Sequence, residues 1–255
     1  MLEEKRREIQ AARRRRPEAA FLADLPGGRR DFTAGLRGGG LSVIAEIKRA
    51  SPAKGPIAPD LDPPRLARAY ERGGAAAISV LTDRRFFQGN LADLAAARAA
   101  ASLPILRKDF IIDTYQVAEA AWAGADAVLL VAACLPGPQL QELYAAARDL
   151  GLAALVEVRT AGEMERAAAL GAEIIGINNR DLATLAVDPG TAARLLPMAP
   201  PGAIVVAESG IADPRAARAL AGAGADAILV GEALVRSADP AALIRTFREC
   251  ESHVR

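Results

Sequence analysis

Histidine is nearly absent from this 255-residue chain: one occurs, His253, third from the C-terminus. Chain ends are where order is usually lost, so histidine acid–base chemistry and a histidine metal site are set aside. Cysteine is almost as scarce. Cys134 and Cys250 lie far apart and outside any metal-spaced motif, which argues against a disulfide framework or a zinc site and leaves both as structural residues. No apolar run approaches the roughly eighteen residues a membrane helix needs, and the charged start MLEEKRREIQ lacks a signal-peptide apolar region. A soluble, cytoplasmic protein is expected. Excess charge is also lacking: 32 basic residues face 31 acidic ones, a net +1, so neither nucleic acid nor a membrane is an expected partner.

Lysine is the most informative scarcity. Only four of the 32 basic residues are lysines, and three of them, Lys48, Lys54 and Lys108, sit at or just after apolar strand-like runs. A coding bias toward arginine accounts for the surface but not for where lysine remains. Lysine loses its proton at accessible pH when desolvated or placed near another cation, whereas arginine does not. The surviving lysines are therefore candidates for proton chemistry.

What is abundant is apolar: 51% of residues are hydrophobic, enough for a large core. Four segments share a pattern, RGGAAAISVLT, AGADAVLLVAA, LGAEIIGINNR and AGADAILVGEA, with Gly-Ala pairs beginning at Gly74, Gly124, Gly171 and Gly224, so 50, 47 and 53 residues apart. That period suits two strand-plus-helix units. Between these segments lie SVIAEIK (42–48), LPILRKDF (103–110), LAALVEV (152–158) and AIVVAES (203–209), and interleaving gives eight strands. Helical patterns fill the gaps, several starting after Asp, Thr or Pro and stopping at Gly. The alternation predicts a closed α/β barrel, (β/α)8, with a doubly wound open sheet as runner-up, which lacks a glycine-rich dinucleotide turn to support it. Residues 41–255 are assigned to this TIM barrel. Residues 1–40 form an N-terminal helical extension expected to pack on it, with GGG at 38–40 as a flexible join and Arg13 to Arg16 as a solvated helix end.

In such barrels, functional side chains gather at the C-terminal ends of the strands. Polar interruptions fall there: Glu46 and Lys48 on strand one, Lys108 on three, Glu157 on five, Asn178 and Arg180 at six, Glu208 and Ser209 at seven. Glu46 and Lys48, two apart on a strand, share a face about 6.6 Å apart along the chain. Burying either alone would cost several kcal/mol, so that face is expected to open into a functional mouth. The loops after strands seven and eight, ESGIADP and VGEALVR, put Gly210 and Gly231 where backbone amides can approach an anion, with Ser51 adding a hydroxyl.

Together VIAEIKRASPAKG, LRKDFIID, LVEV, GINNRDL, VAESGI and ILVGEALVR resemble the indole-3-glycerol phosphate synthase family of tryptophan biosynthesis, across nearly the whole barrel. DFTAGLR is similar to the family's added helices over the barrel mouth. The resemblance implies a phosphorylated small-molecule substrate, carboxyphenylamino-deoxyribulose phosphate, that closes onto its own ring, loses carbon dioxide and then loses water, with no metal or cofactor. It implies Lys108 as general acid, Lys48 as a second acid or a cation over substrate and phosphate, Glu157 as base, and Glu46 and Asn178 as positioning groups. Arg180, Glu208 and Ser209 would orient substrate, Phe87 and Phe110 would wall its ring, and Glu232, serine in some relatives, would flank the phosphate. A monomer or weak homo-oligomer is expected. Alternatives are another phosphate-binding isomerase or decarboxylase barrel, or a non-catalytic metabolite-binding barrel.

Overall fold

The computed structural model describes residues 1–250; His253 lies outside them. Eight parallel strands close on themselves: β1 (Ser42–Ile47), β2 (Ala77–Leu81), β3 (Ile105–Lys108), β4 (Ala127–Val131), β5 (Ala153–Val158), β6 (Ile174–Asn178), β7 (Ile204–Glu208) and β8 (Ala227–Val230), each beside its neighbours in sequence, with β8 pairing back onto β1 through Ser42–Ala227 and Ala45–Val230. Helices alternate with the strands, as the sequence periodicity predicts. Among the described residues no helix is long and apolar enough to cross a membrane.

The Gly-Ala repeat has a local cause. Gly74, Gly124, Gly171 and Gly224 all adopt left-handed φ values of 70–96°, and the alanine after each donates its amide to a carbonyl five residues back, as in Ala75 to Tyr70 and Ala225 to Leu220. This is the Schellman helix stop, where glycine avoids the Cβ penalty, used four times to enter the even-numbered strands. Helix starts are capped with similar regularity: Asp62, Asn90, Asp113, Thr160, Asp213 and Asp239 each accept the backbone amide of the second or third residue of the helix that follows.

Two apolar layers result. Ile44, Leu106, Leu155, Val206 and Leu229 fill the barrel's interior, and a larger layer, including Val43, Ile78, Val156 and Ile228, packs strands against helices. Two of the later helices escaped the sequence patterns. The helix after β6 has only six residues, Gly190–Leu195, running into 3-10 geometry at Leu196–Met198, and β8 is followed by a five-residue helix, Glu232–Arg236, before the terminal Pro240–Arg248.

Before the barrel come α1 (Leu2–Arg15), α2 (Glu18–Leu22) and α3 (Phe32–Leu36). DFTAGLR, expected over the mouth, lies instead at the opposite end: α3 buries Phe32 and Leu36 against the lumen layer, and Gly35 packs on the carbonyl of Ala76 at the entry to β2. Amphipathicity says that such a helix caps a barrel but not which end. The arginine run differs from expectation as well. Arg16 stacks 4.0 Å from the ring centre of Trp122 and 4.7 Å from that of Phe21, and Arg13 meets Asp113 at 2.6 Å. Both therefore fasten the extension to the barrel; Arg14 and Arg15 are exposed.

Candidate active site

The fourteen residues singled out in the sequence come from seven of the eight strands and the segments that follow them, and all line one cavity of about 550 Å³ at the C-terminal end of the barrel. Convergence follows from closure, because equivalent strand ends meet on one rim. At its floor Glu46 and Lys48 pair at 2.6 Å. Lys108 Nζ sits 3.1 Å from Glu208, 3.7 Å from Glu157 and 3.9 Å from Glu46, so three carboxylates from β1, β5 and β7 surround one ammonium from β3.

Electrostatics here depart from the expectation that burial frees a lysine of its proton. Burial does act downward on Lys108, but Glu208, Glu157 and Glu46 outweigh it and raise its pKa, keeping it protonated. For Glu46, burial acts upward and is outweighed by Lys48 and Lys108, which hold the carboxyl below its ordinary value. Glu208 goes the other way. Burial pushes it up to about 7 from 4.5, against the pull of Lys108 and with reinforcement from Glu157 and Glu46.

Because folded Glu208 holds its proton more tightly than the unfolded chain does, it stabilises the fold below about pH 4.5, and that stability is lost as pH rises through 7. The carboxyls shifted downward, such as Glu46 and Asp109, act only at lower pH. Urea denaturation of the unliganded protein should therefore lose up to about 3 kcal/mol between pH 5 and 8 through this group. Glu208→Gln should flatten that slope; coincident slopes for the two proteins would place the proton elsewhere.

Two glycines make room for these charges. A Cβ on Gly176, in the middle of β6, would strike the Glu208 carboxylate, and one on Gly231 would strike Glu46 and Lys48. Gly176 was absent from the sequence-derived set, although a glycine inside a strand is itself a signal of close approach.

The upper walls are built from loops. Asn178 accepts the Arg180 amide at 2.9 Å, and the Arg180 guanidinium is held by the Leu185 carbonyl at 2.8 Å. Ser209 and Gly210 take successive left-handed φ values of 64° and 77°, turning the chain sharply out of β7; the strain at a non-glycine residue is of the order seen at functional turns, about 1–2 kcal/mol. Phe87 is half-buried and Phe110 nearly buried on the opposite side. Glu232 does not stand free beside Gly231: it meets Lys54 at 2.9 Å and Arg236 at 3.2 Å. Burial, reinforced by Glu157, pushes the Cys134 thiol up to about 11, which keeps it in the thiol form near neutral pH.

The largest omission from the sequence-derived set is Lys5. From α1 its ammonium reaches Asp83 at 2.8 Å, Asp109 at 2.9 Å and Glu8 at 2.8 Å, with only 6% of the side chain exposed. The signal was a lone lysine in an arginine-rich helix.

Fold and site define a (β/α)8 barrel whose mouth gathers lysines, carboxylates and glycine-bearing loops. The family model for indole-3-glycerol phosphate synthase matches residues 1–247. A protein of that description from Nocardioides sp. (strain ATCC BAA-499 / JS614) is 52% identical over 243 residues, 93% of this chain and 94% of its own. One from Micrococcus luteus is 48% identical over 98% of this chain and 96% of its own. The chain belongs to the indole-3-glycerol phosphate synthase family. Among solved structures, thiamine phosphate pyrophosphorylase from Pyrococcus furiosus (TM-score 0.63, 18% identity, 86% of this chain and 97% of that one) and 3-hexulose-6-phosphate synthase from Salmonella typhimurium (0.64, 16%, 82% and 98%) share the fold.

Proposed function

We propose that the protein converts 1-(2-carboxyphenylamino)-1-deoxyribulose 5-phosphate to indole-3-glycerol phosphate, carbon dioxide and water, a carboxy-lyase step of tryptophan biosynthesis. The observation that carries the site assignment is the protonated Lys108 held among three carboxylates within a cavity. Lys108 donates its proton to the substrate ketone as the ring carbon bearing the carboxylate attacks the carbonyl carbon. Carbon dioxide leaves and its bonding pair restores the aromatic ring. The new hydroxyl then departs as water, its proton supplied by Lys48 or by Lys108 after Lys108 has regained a proton from solvent, and Glu157 removes the proton from the adjacent methylene to close the indole double bond. Atoms and electrons balance without a redox partner.

The remaining residues orient these steps. Glu46 holds Lys48 at 2.6 Å, and Asn178 faces the developing hydroxyl. Arg180, Glu208 and Ser209 orient the substrate, with Phe87 and Phe110 along its ring. Ser51 and the amides at Gly210 and Gly231 take the phosphate, which draws Lys54 away from Glu232 as it enters. Residues 1–40 and the barrel act as one domain in this scheme. Mixing the protein with the named substrate should produce indole absorbance and fluorescence; no product at high enzyme concentration would overturn the assignment.

A further inference from the structure

Lys5 is the one lysine to which the reaction scheme gives no role, yet it is the most deeply embedded charge of the extension. Its partners are themselves buried, the Asp83 side chain 1% exposed and that of Asp109 3%. Burial acts to strip its proton, but Asp109, Asp83 and Glu8 more than offset this and keep it charged. The two aspartates are not scattered. Asp83 follows β2 and caps the short helix Arg84–Phe87 by accepting the Phe86 amide at 2.7 Å, and that helix carries Phe87 into the cavity. Asp109 follows Lys108 directly, accepts the Phe110 amide at 2.8 Å and the Thr82 hydroxyl at 2.7 Å, and so sets the turn that carries Phe110. A second contact, Arg85 to Glu4 at 2.8 Å, ties the same helix to α1.

We infer that Lys5 is a positioning residue for the substrate's aromatic side: by joining Asp83 to Asp109 it holds Phe87 and Phe110 at the separation that accepts the ring. It touches no substrate itself. The inference rests on the proposed reaction and goes beyond it, assigning a part of the binding wall to a residue of the extension. Although Asp109 follows Lys108 in the chain, the Lys108 ammonium itself is held by Glu46, Glu157 and Glu208, from β1, β5 and β7, which Lys5 does not contact, so the effect should fall chiefly on binding.

Steady-state kinetics of Lys5→Met test this, with the folded fraction followed by circular dichroism. KM for the substrate should rise at least tenfold while kcat per folded molecule stays within about threefold. A merely structural lysine would lower the active fraction and leave KM alone. An unchanged KM, with or without lost amplitude, overturns the inference. Where Lys5→Met does not fold, Asp83→Asn serves instead, since asparagine still caps the short helix but no longer attracts the ammonium; KM should rise at least threefold, and an unchanged KM again overturns it. Wild-type protein in the same assay separates the two levels: without wild-type product the reaction assignment fails, and with it only the role of Lys5 is at stake.

Discussion

Lys108→Met is expected to lower turnover by about a thousandfold while changing KM only a few-fold, because a positioned general acid contributes roughly 10²–10⁴ to rate. Methionine keeps the unbranched bulk and removes the proton. The loss of charge has its own consequence. Glu46 retains Lys48 at 2.6 Å, but Glu157 and Glu208 lose the ammonium that stands 3.7 and 3.1 Å away. Facing carboxylates without a cation take up protons rather than stay ionised, so the variant should fold at pH 6 and lose stability more steeply than wild type toward pH 8. Steady-state turnover and thermal melts at the two pH values check both halves. Near-normal turnover would remove Lys108 from the role of acid.

Glu157→Gln should cost about a hundredfold in turnover, near the lower end for a general base because water in the mouth can take part of its place. The substitution is nearly isosteric and leaves Lys108 with Glu208 and Glu46. If Glu157 removes the methylene proton, that step becomes limiting in the variant, and substrate deuterated at this methylene should show a larger isotope effect than with wild type. An isotope effect equal in the two proteins would move the base to another residue.

The eight strands were legible because a buried parallel strand writes itself as a short apolar run and a helix as a 3.6-residue pattern. The rim was legible for a related reason: barrel closure brings equivalent strand ends together, so Glu46, Lys108, Glu157 and Glu208 needed only their strand positions to be placed in one mouth. Roles that depend on contacts between distant segments were not. Lys5 meets Asp83 and Asp109 across 78 and 104 residues of chain, and nothing in the polar pattern of α1 points to them. The direction of the Lys108 shift was hidden for another reason: strand positions place the three carboxylates in its mouth but not within 3.1–3.9 Å of Nζ, and it is that closeness that outweighs burial. Pro197 interrupts the helical pattern after β6, which hid that short helix, and DFTAGLR carried no sign of which end of the barrel it closes.

The charges of the mouth are divided between the two ends of the chain. Both lysines of the floor belong to the first half, just after β1 and on β3, and two of their three carboxylates belong to the second, on β5 and β7. A nascent chain folded only through β4 would hold two ammonium groups with Glu46 alone of the three carboxylates beside them, and could not bury them without an unbalanced charge. Electrical balance and catalytic competence thus arrive in the same event, the docking of the second half. The site acts as a seal on the finished barrel, and partial barrels are marked by the charge they cannot hide.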